Sequence, residues 1–169
     1  PSPAQQHGPI RDALLLRVIG SPDPYGKHTD GMGGATSSTS KTVIINPSKQ
    51  PDHDVDYLFG QVSIDQAIVD WSGNCGNLSA AIGPFAISQG LLPAERVPDN
   101  GFAEVKIWQE NIGKTIINTV PIRNGEVCET GDFELDGVTF PAAEIDVDFR
   151  DTAGTEGRSV CTTGNLGDS

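Results

Sequence analysis

The spacing of hydrophobic positions changes along the chain and predicts few helices among many short strands. Residues 9–19 place Ile10, Leu14, Leu15, Val18 and Ile19 at helical spacing, with Pro9 at the start and Gly20 at the stop. A second helix is predicted from Leu78, whose apolar stripe contains Leu78, Ile82, Phe85 and Ala86. Because proline lacks the N–H that an α-helix needs, Gly83-Pro84 predicts a kink or a break there.

Most other segments have the composition and alternation of strands. The runs that predict strands are 42–45, 55–64, 105–109, 116–120 (ending before Pro121), 126–133 and 145–149. Asn124-Gly125 and Asp136-Gly137 are typical hairpin turns. The predicted fold class is therefore α+β, with a mostly antiparallel, curled sheet around one central helix.

Composition adds a domain outline and excludes some partners. The 169 residues fit one domain: a disordered lead-in over 1–8, a domain over 9–150 and a linker over 151–169. The net charge is −12, from 23 acidic and 11 basic residues, which argues against nucleic acid and membrane surfaces because both are polyanions. No apolar run approaches the length of a membrane span.

The cysteines and the start of the chain indicate the cellular compartment in which the protein is expected. Three cysteines at wide spacing (Cys75, Cys128 and Cys161) suit neither a disulfide framework nor a zinc cluster, so we expect a reducing compartment. The start shows no secretion signal, and we expect a cytoplasmic protein. It also lacks a methionine, so we expect a fragment.

Cys75 is the first candidate for chemistry. It follows Asn74, precedes Gly76-Asn77 and lies where the central helix is predicted to begin. The free N–H groups of a helix start favour a thiolate, or bind a substrate carboxylate. The alternative is a cysteine that only fills space in the core.

Lys41 is the second candidate, at the end of a loop rich in Gly, Ser and Thr. A phosphate-binding loop needs glycine before the lysine, and Ser40 occupies that position, so a nucleotide site is not expected. Small-residue amides and hydroxyls can still hold carboxylates, and a desolvated lysine can act as a general base. From the local sequence alone, a solvated lysine at a strand edge is the favoured interpretation.

Other polar groups give weaker signals. Residues 52–56 (Asp-His-Asp-Val-Asp) contain metal-ligand types, but they lie in a proline-flanked turn where such side chains are usually solvated, and no metal is expected. His7 and His28 are predicted to be exposed. A serine hydrolase would need a G-x-S-x-G motif, which the sequence lacks.

Several long motifs together resemble one family. They are Ser21-Pro22-Asp23-Pro24-Tyr25-Gly26, residues 30–41 (DGMGGATSSTSK), residues 70–77 (DWSGNCGN), Ile107-Trp108-Gln109, residues 111–115 (NIGKT), residues 131–141 (GDFELDGVTFP) and Thr163-Gly164-Asn165-Leu166. The sequence closely resembles the 2-methylaconitate cis–trans isomerase family, whose relatives include 4-oxalomesaconate tautomerases. The resemblance runs from Arg11 onward.

The resemblance implies a fold, a reaction and a site. It implies the diaminopimelate-epimerase-like fold, with two similar domains and the active site between them, and isomerisation of unsaturated tricarboxylates without any cofactor or metal. It implies a place in the methylcitrate route of bacterial propionate breakdown, beside an aconitase-like 2-methylcitrate dehydratase. The catalytic pair would be Lys41 and Cys75, and the substrate carboxylates would contact Ser38, Ser40, Asn74, Gly76 and Asn77.

Departures from the family pattern leave alternatives open. Family members carry an Arg-Gly-Gly-Thr-Ser-Lys-Gly segment before the first helix and a second domain after Thr163-Gly164-Asn165, and Cys161-Thr162 replaces their Phe-Pro. We therefore expect a first domain incomplete at its start, whose exposed inter-domain face can associate into oligomers. The alternatives are a tautomerase acting on an oxo-tricarboxylate and a truncated, non-catalytic carboxylate-binding domain.

Overall fold

The computed structural model describes residues 8–150 and the backbone of Val160–Cys161. The predicted lead-in, apart from Gly8, and the rest of the predicted linker lie outside the described residues. The helices are α1 (Pro9–Ile19), α2 (Gly76–Ser79) and α3 (Ile82–Ser88), with a 3₁₀ turn at Ala94–Arg96. The strands are β1 (Lys41–Pro47), β2 (Val55–Val62), β3 (Val69–Asp70), β4 (Asn100–Gln109), β5 (Lys114–Arg123), β6 (Glu126–Val127), β7 (Asp146–Arg150) and β8 (Val160–Cys161).

Within the described part of the chain, the strands form one sheet in the order β1-β2-β4-β5-β7-β8, with β3 on β2 and β6 on β5. The predicted α+β class with a mostly antiparallel sheet is confirmed, and the sheet also contains a parallel pair. β2 and β4 run parallel, with Val55 opposite Ile107 and Tyr57 opposite Gln109. A parallel pair needs a long crossover connection, and β3, α2 and α3 lie in that connection.

The hairpin of β4 and β5 is the longest pairing, from Asn100 opposite Arg123 to Gln109 opposite Lys114. β5 continues through Pro121, where the sequence predicted its end, and the Pro121 carbonyl accepts the Cys128 N–H at 2.8 Å. The Asn124-Gly125 turn is confirmed, since both residues have positive φ and join β5 to β6 in a two-residue loop.

The predicted central helix is two short helices. The interruption falls at Ala80-Ala81, and Gly83-Pro84 lie in the first turn of α3, where a proline costs no hydrogen bond. The Gly83 N–H is bound by the buried Asn118 Oδ1 at 2.8 Å. A Cβ on Gly83 would lie 2.7 Å from the Asn118 Cβ, so the close approach of α3 to β5 requires glycine.

The described residues form two compact units, and β1 and β2 each contribute to both. The first unit contains residues 8–44, 58–74 and 110–112; the second contains 45–57, 75–109, 113–150 and the strand at 160–161. In the first unit Ile19, Val62 and Val69 form a core, with Leu16 and Trp71 packed on it. The buried apolar residues of the second unit include Val55, Tyr57, Ile82, Ala86, Val105, Ile107, Ile116, Val120 and Val147.

Candidate active site

The carboxylate of Asp23 shapes the first half of the segment between α1 and Lys41. Asp23 accepts the backbone N–H groups of Tyr25 (2.8 Å), Lys27 (2.9 Å) and His28 (2.7 Å). The bonds from Lys27 and Tyr25 are the main cause that lowers the pKa of Asp23 below its usual value. A short polar side chain thus fixes the turn that positions His28.

His28 is buried, at 2% exposure, so the prediction that it is exposed is wrong. Its Nδ1 accepts the Ala35 N–H at 3.1 Å, and the Ser40 Oγ lies 3.5 Å from the same nitrogen. A Cβ on Gly33 would lie 2.3 Å from this Nδ1, which explains a glycine there. The small-residue loop therefore folds around an imidazole.

The predicted site residues of this loop differ in exposure. Ser38 is exposed and Lys41 is partly buried, whereas Ser40 is fully buried. The Ser40 carbonyl accepts the Val62 N–H at 2.9 Å and the Gln61 Nε2 at 2.8 Å. Ser40 is thus held by β2 as β1 begins at Lys41.

The segment before Cys75 is anchored within the first unit. Asn111 donates from Nδ2 to the Trp71 carbonyl at 2.6 Å, and the Arg11 guanidinium lies 3.9 Å above the Trp71 ring. The Asn74 Oδ1 is buried and has no hydrogen-bond partner in the described part of the chain. An unpaired buried amide oxygen is costly, so Asn74 is a place where a ligand can supply a partner.

Cys75 lies at the N-cap of α2 with extended backbone (φ −121°, ψ 108°), which confirms its predicted place at a helix start. It is partly buried, while Gly76 and Asn77 are exposed. The Cys75 carbonyl accepts both the Ser79 N–H (3.1 Å) and the Ser79 hydroxyl (2.9 Å). The N–H groups of a first helical turn have no partners inside the helix, so they can bind an anion beside the thiol.

Tyr57 shares a unit with Cys75, and its hydroxyl has no hydrogen-bond partner among the described residues. Burial raises the pKa of the Tyr57 phenol well above its usual value. Tyr57 is therefore a protonated donor at neutral pH.

The acidic segment 52–56 is only partly solvated: Asp52 is exposed in a turn, whereas the other polar side chains are bound by the protein, with Asp56 accepting the Ser48 hydroxyl. Asp54 pairs with Arg96 and accepts the Lys106 N–H at 2.8 Å. The His53 ring nitrogens contact the Pro51 carbonyl and the Thr115 hydroxyl, each at 2.8 Å. Across residues 8–150, no group of three or more His, Cys, Asp or Glu side chains is arranged to hold a metal ion.

A family model described as PrpF protein matches residues 2–169. The chain belongs to the PrpF family. Among its relatives, the 2-methyl-aconitate isomerase of Cupriavidus necator is 71% identical and that of Shewanella oneidensis 67%, each over 99% of this chain and 43% of the relative. The 4-oxalomesaconate tautomerase of Pseudomonas putida is 45% identical over 95% of this chain and 43% of the relative. This PrpF-family chain thus spans less than half the length of these relatives.

The fold also matches a solved structure. The crystal structure of a methylitaconate-delta-isomerase superposes with a TM-score of 0.75 at 43% identity, covering 82% of this chain and 34% of that one. None of the helices in the described part of the chain has the length and apolarity needed to cross a membrane.

Sequence reasoning missed three polar residues of these units: His28, Tyr57 and Asn111. Tyr57 lies on a strand whose alternation predicts burial but not an unpaired hydroxyl. Asn111 lies in a motif that carried the family resemblance, and that was the only signal for it. For His28, the neighbouring glycines were the available signal, because glycines often mark a close approach to another group.

Proposed function

We propose that this chain is part of a cofactor-independent isomerase that interconverts the cis and trans forms of 2-methylaconitate. The observation that carries the proposal is the 71% and 67% identity to 2-methyl-aconitate isomerases along 99% of the chain. The activity is proposed for the whole protein, because those relatives are more than twice as long as this chain.

The reaction requires a proton transfer. Rotation about a C=C bond is slow until that bond gains single-bond character. Removal of a proton from the carbon next to the conjugated acid gives a delocalised allylic carbanion. In this carbanion the former C=C bond has partial single-bond character, so rotation about it is possible. After the rotation the proton returns to the carbon that it left, which restores the C=C bond in the other geometry. One general acid–base group and one anion-stabilising group therefore suffice.

Lys41 and Cys75 are proposed for these two roles. Lys41 removes or returns the proton, and Cys75 acts as its acid–base partner or steadies the anion. The support for Cys75 is its partly buried place at the N-cap of α2, beside backbone N–H groups of a first turn that have no partner inside the helix. The support for Lys41 is a loop fixed on both sides of Ser40 before β1 begins.

The carboxylates of the substrate are proposed to contact Ser38, Ser40, Asn74, Gly76 and Asn77. The exposed Ser38 hydroxyl and the exposed first turn of α2 favour such contacts. A carboxylate only accepts hydrogen bonds, so its contact with Asn74 would be made by the side-chain Nδ2, whereas the unpaired Oδ1 would need a donor from the ligand. Ser40 is the weakest member of the set, because its side chain is buried against His28.

The wider setting follows from the substrate. We propose a cytoplasmic protein that works beside an aconitase-like 2-methylcitrate dehydratase in the methylcitrate route of propionate breakdown. The dehydratase would supply or consume the unsaturated tricarboxylate.

A tautomerase is the second candidate, favoured by the 45% identity to a 4-oxalomesaconate tautomerase. It would use the same proton abstraction but would move the double bond of an oxo-tricarboxylate. The higher identity to the 2-methyl-aconitate isomerases favours the first candidate.

The test compares both substrates with the full-length gene product. We expect faster turnover of 2-methylaconitate than of 4-oxalomesaconate, and loss of that turnover in Cys75→Ala. Cys128→Ala is the matched control, because Cys128 is a second partly buried cysteine. Preference for 4-oxalomesaconate would support the tautomerase instead, and no turnover of either substrate would overturn both proposals.

A further inference from the structure

The loop before Lys41 contains a buried histidine to which the reaction assigns no role. His28 is 2% exposed and packs inside a loop of small residues. Its Nδ1 accepts the Ala35 N–H at 3.1 Å and lies 3.5 Å from the Ser40 Oγ. Its Nε2 is buried without a partner within residues 8–150.

These contacts define the state of the ring. A backbone N–H can only donate, so the Nδ1 that accepts the Ala35 N–H carries a lone pair and no proton. The single ring proton of the neutral imidazole is therefore on Nε2. The ring acts on the loop as a hydrogen-bond acceptor through Nδ1.

The loop is fixed on two sides, and Lys41 follows directly. His28 binds Ala35 on one side, and on the other the Ser40 carbonyl is bound by Gln61 Nε2 (2.8 Å) and the Val62 N–H (2.9 Å). We propose that His28 is a positioning residue that fixes the backbone of residues 33–40 and thereby the place of Lys41. This inference rests on the function proposed for Lys41.

The geometry predicts which substitutions preserve this role. The Oδ1 of asparagine can take the place of Nδ1, and asparagine tolerates the left-handed backbone of His28 (φ 50°). Glutamine places its amide further out, near the position of Nε2. Leucine fills a similar volume but offers no acceptor.

The experiment uses the full-length gene product and two readouts. In His28→Leu we expect amide hydrogen exchange of a peptide spanning residues 33–44 to rise about tenfold, as expected when about 1.4 kcal/mol of local stability is lost. We expect kcat for 2-methylaconitate to fall by about tenfold or more with little change in KM, because a misplaced base affects the transition state more than binding. His28→Asn should bring both values back to within about threefold of wild type, and His28→Gln should resemble His28→Leu.

Gly83→Ala distinguishes a local effect on the loop from a general loss of stability, because it strains α3 in the other unit. It should lower the melting temperature without the local rise in exchange or the fall in kcat. Equal defects in His28→Asn and His28→Leu, or wild-type exchange and kcat in His28→Leu, would overturn the inference. If the wild-type protein isomerises nothing, the proposed function fails, and the exchange measurement still decides whether His28 fixes the loop.

Discussion

Asn111 allows a quantitative test of how the segment before Cys75 is held. Its Oδ1 accepts the Phe59 N–H at 2.8 Å, and its Nδ2 donates to the carbonyls of Phe59 (2.8 Å) and Trp71 (2.6 Å). One side-chain amide therefore pairs with β2 as a neighbouring strand would and ties Trp71 to the same place. The perturbation is Asn111→Ala, which removes all three bonds.

The expected cost follows from counting these bonds. A net contribution of about 1 kcal/mol for each of three hydrogen bonds gives about 3 kcal/mol, of which the unsatisfied N–H of the buried Phe59 forms a large part. For a chain of this length, that loss lowers the melting temperature by roughly 6–12 °C.

The assay is equilibrium unfolding in urea, followed by circular dichroism. Asn100→Ala is the control, because its exposed amide makes one 3.3 Å bond and should cost less than about 0.5 kcal/mol. Asn111→Asp adds a second test, since it keeps the acceptor but turns an oxygen toward two carbonyls. At pH 7 it should cost at least as much as alanine, with a smaller cost toward pH 4, where the acid regains a proton to donate. A loss below about 1 kcal/mol in Asn111→Ala would refute the reasoning.

Two further predictions test the packing of the second unit. Gly83→Ala should destabilise by about 1 kcal/mol or more, although alanine usually stabilises helices, because the new Cβ would lie 2.7 Å from the Asn118 Cβ. Gly76→Ala, with open space around its Cβ, should be neutral or stabilising, and the same unfolding curves for both variants would contradict this packing. Tyr57→Phe removes an unpaired buried hydroxyl, so at pH 7 the free energy of unfolding should stay level or rise by up to about 1 kcal/mol. Because burial raises the Tyr57 pKa, the unfolded state loses this proton first above about pH 10, and stability falls as the pH rises further. Urea titrations from pH 9 to 11 should show a shallower fall in Tyr57→Phe, and an identical fall would count against a raised pKa.

Local signals in the sequence were sufficient for several elements. Pro9 and Gly20 bound α1 as predicted, since Gly20 takes the left-handed conformation and its N–H binds the Leu16 carbonyl. The Asn124-Gly125 hairpin also follows from backbone preference alone. The place of Cys75 at a helix start was predicted from the apolar stripe that begins just after it, at Leu78.

The errors come from contacts between distant parts of the chain. The residues from Leu78 to Ser88 favour a helix locally, but α3 begins anew at Ile82, where Asn118 of β5 binds the Gly83 N–H. The predicted strand over 126–133 is confirmed only as Glu126–Val127, and Phe133 then pairs singly with Ala142. His28 has no local signal for burial beyond its neighbouring glycines, because the acceptor role of its ring depends on Ala35 and Ser40 folding back onto it.

The family and the α+β class were predictable from long motifs, whereas the roles of the site residues stay predictions. The structure supports them unequally, with Cys75 at a helix start and Ser40 buried away from solvent. Sequence motifs identify the positions, but they do not indicate which side chains are already engaged by the protein.

The most direct test of proton transfer by Lys41 uses the full-length gene product. Proton NMR follows the substrate protons during isomerisation of 2-methylaconitate in D₂O. We expect deuterium to be incorporated at the carbon next to the conjugated acid while the cis and trans forms interconvert. Both processes should stop in Lys41→Ala and continue in Lys49→Ala, whose wild-type side chain is exposed. Isomerisation at the wild-type rate in Lys41→Ala would show that Lys41 does not transfer the proton.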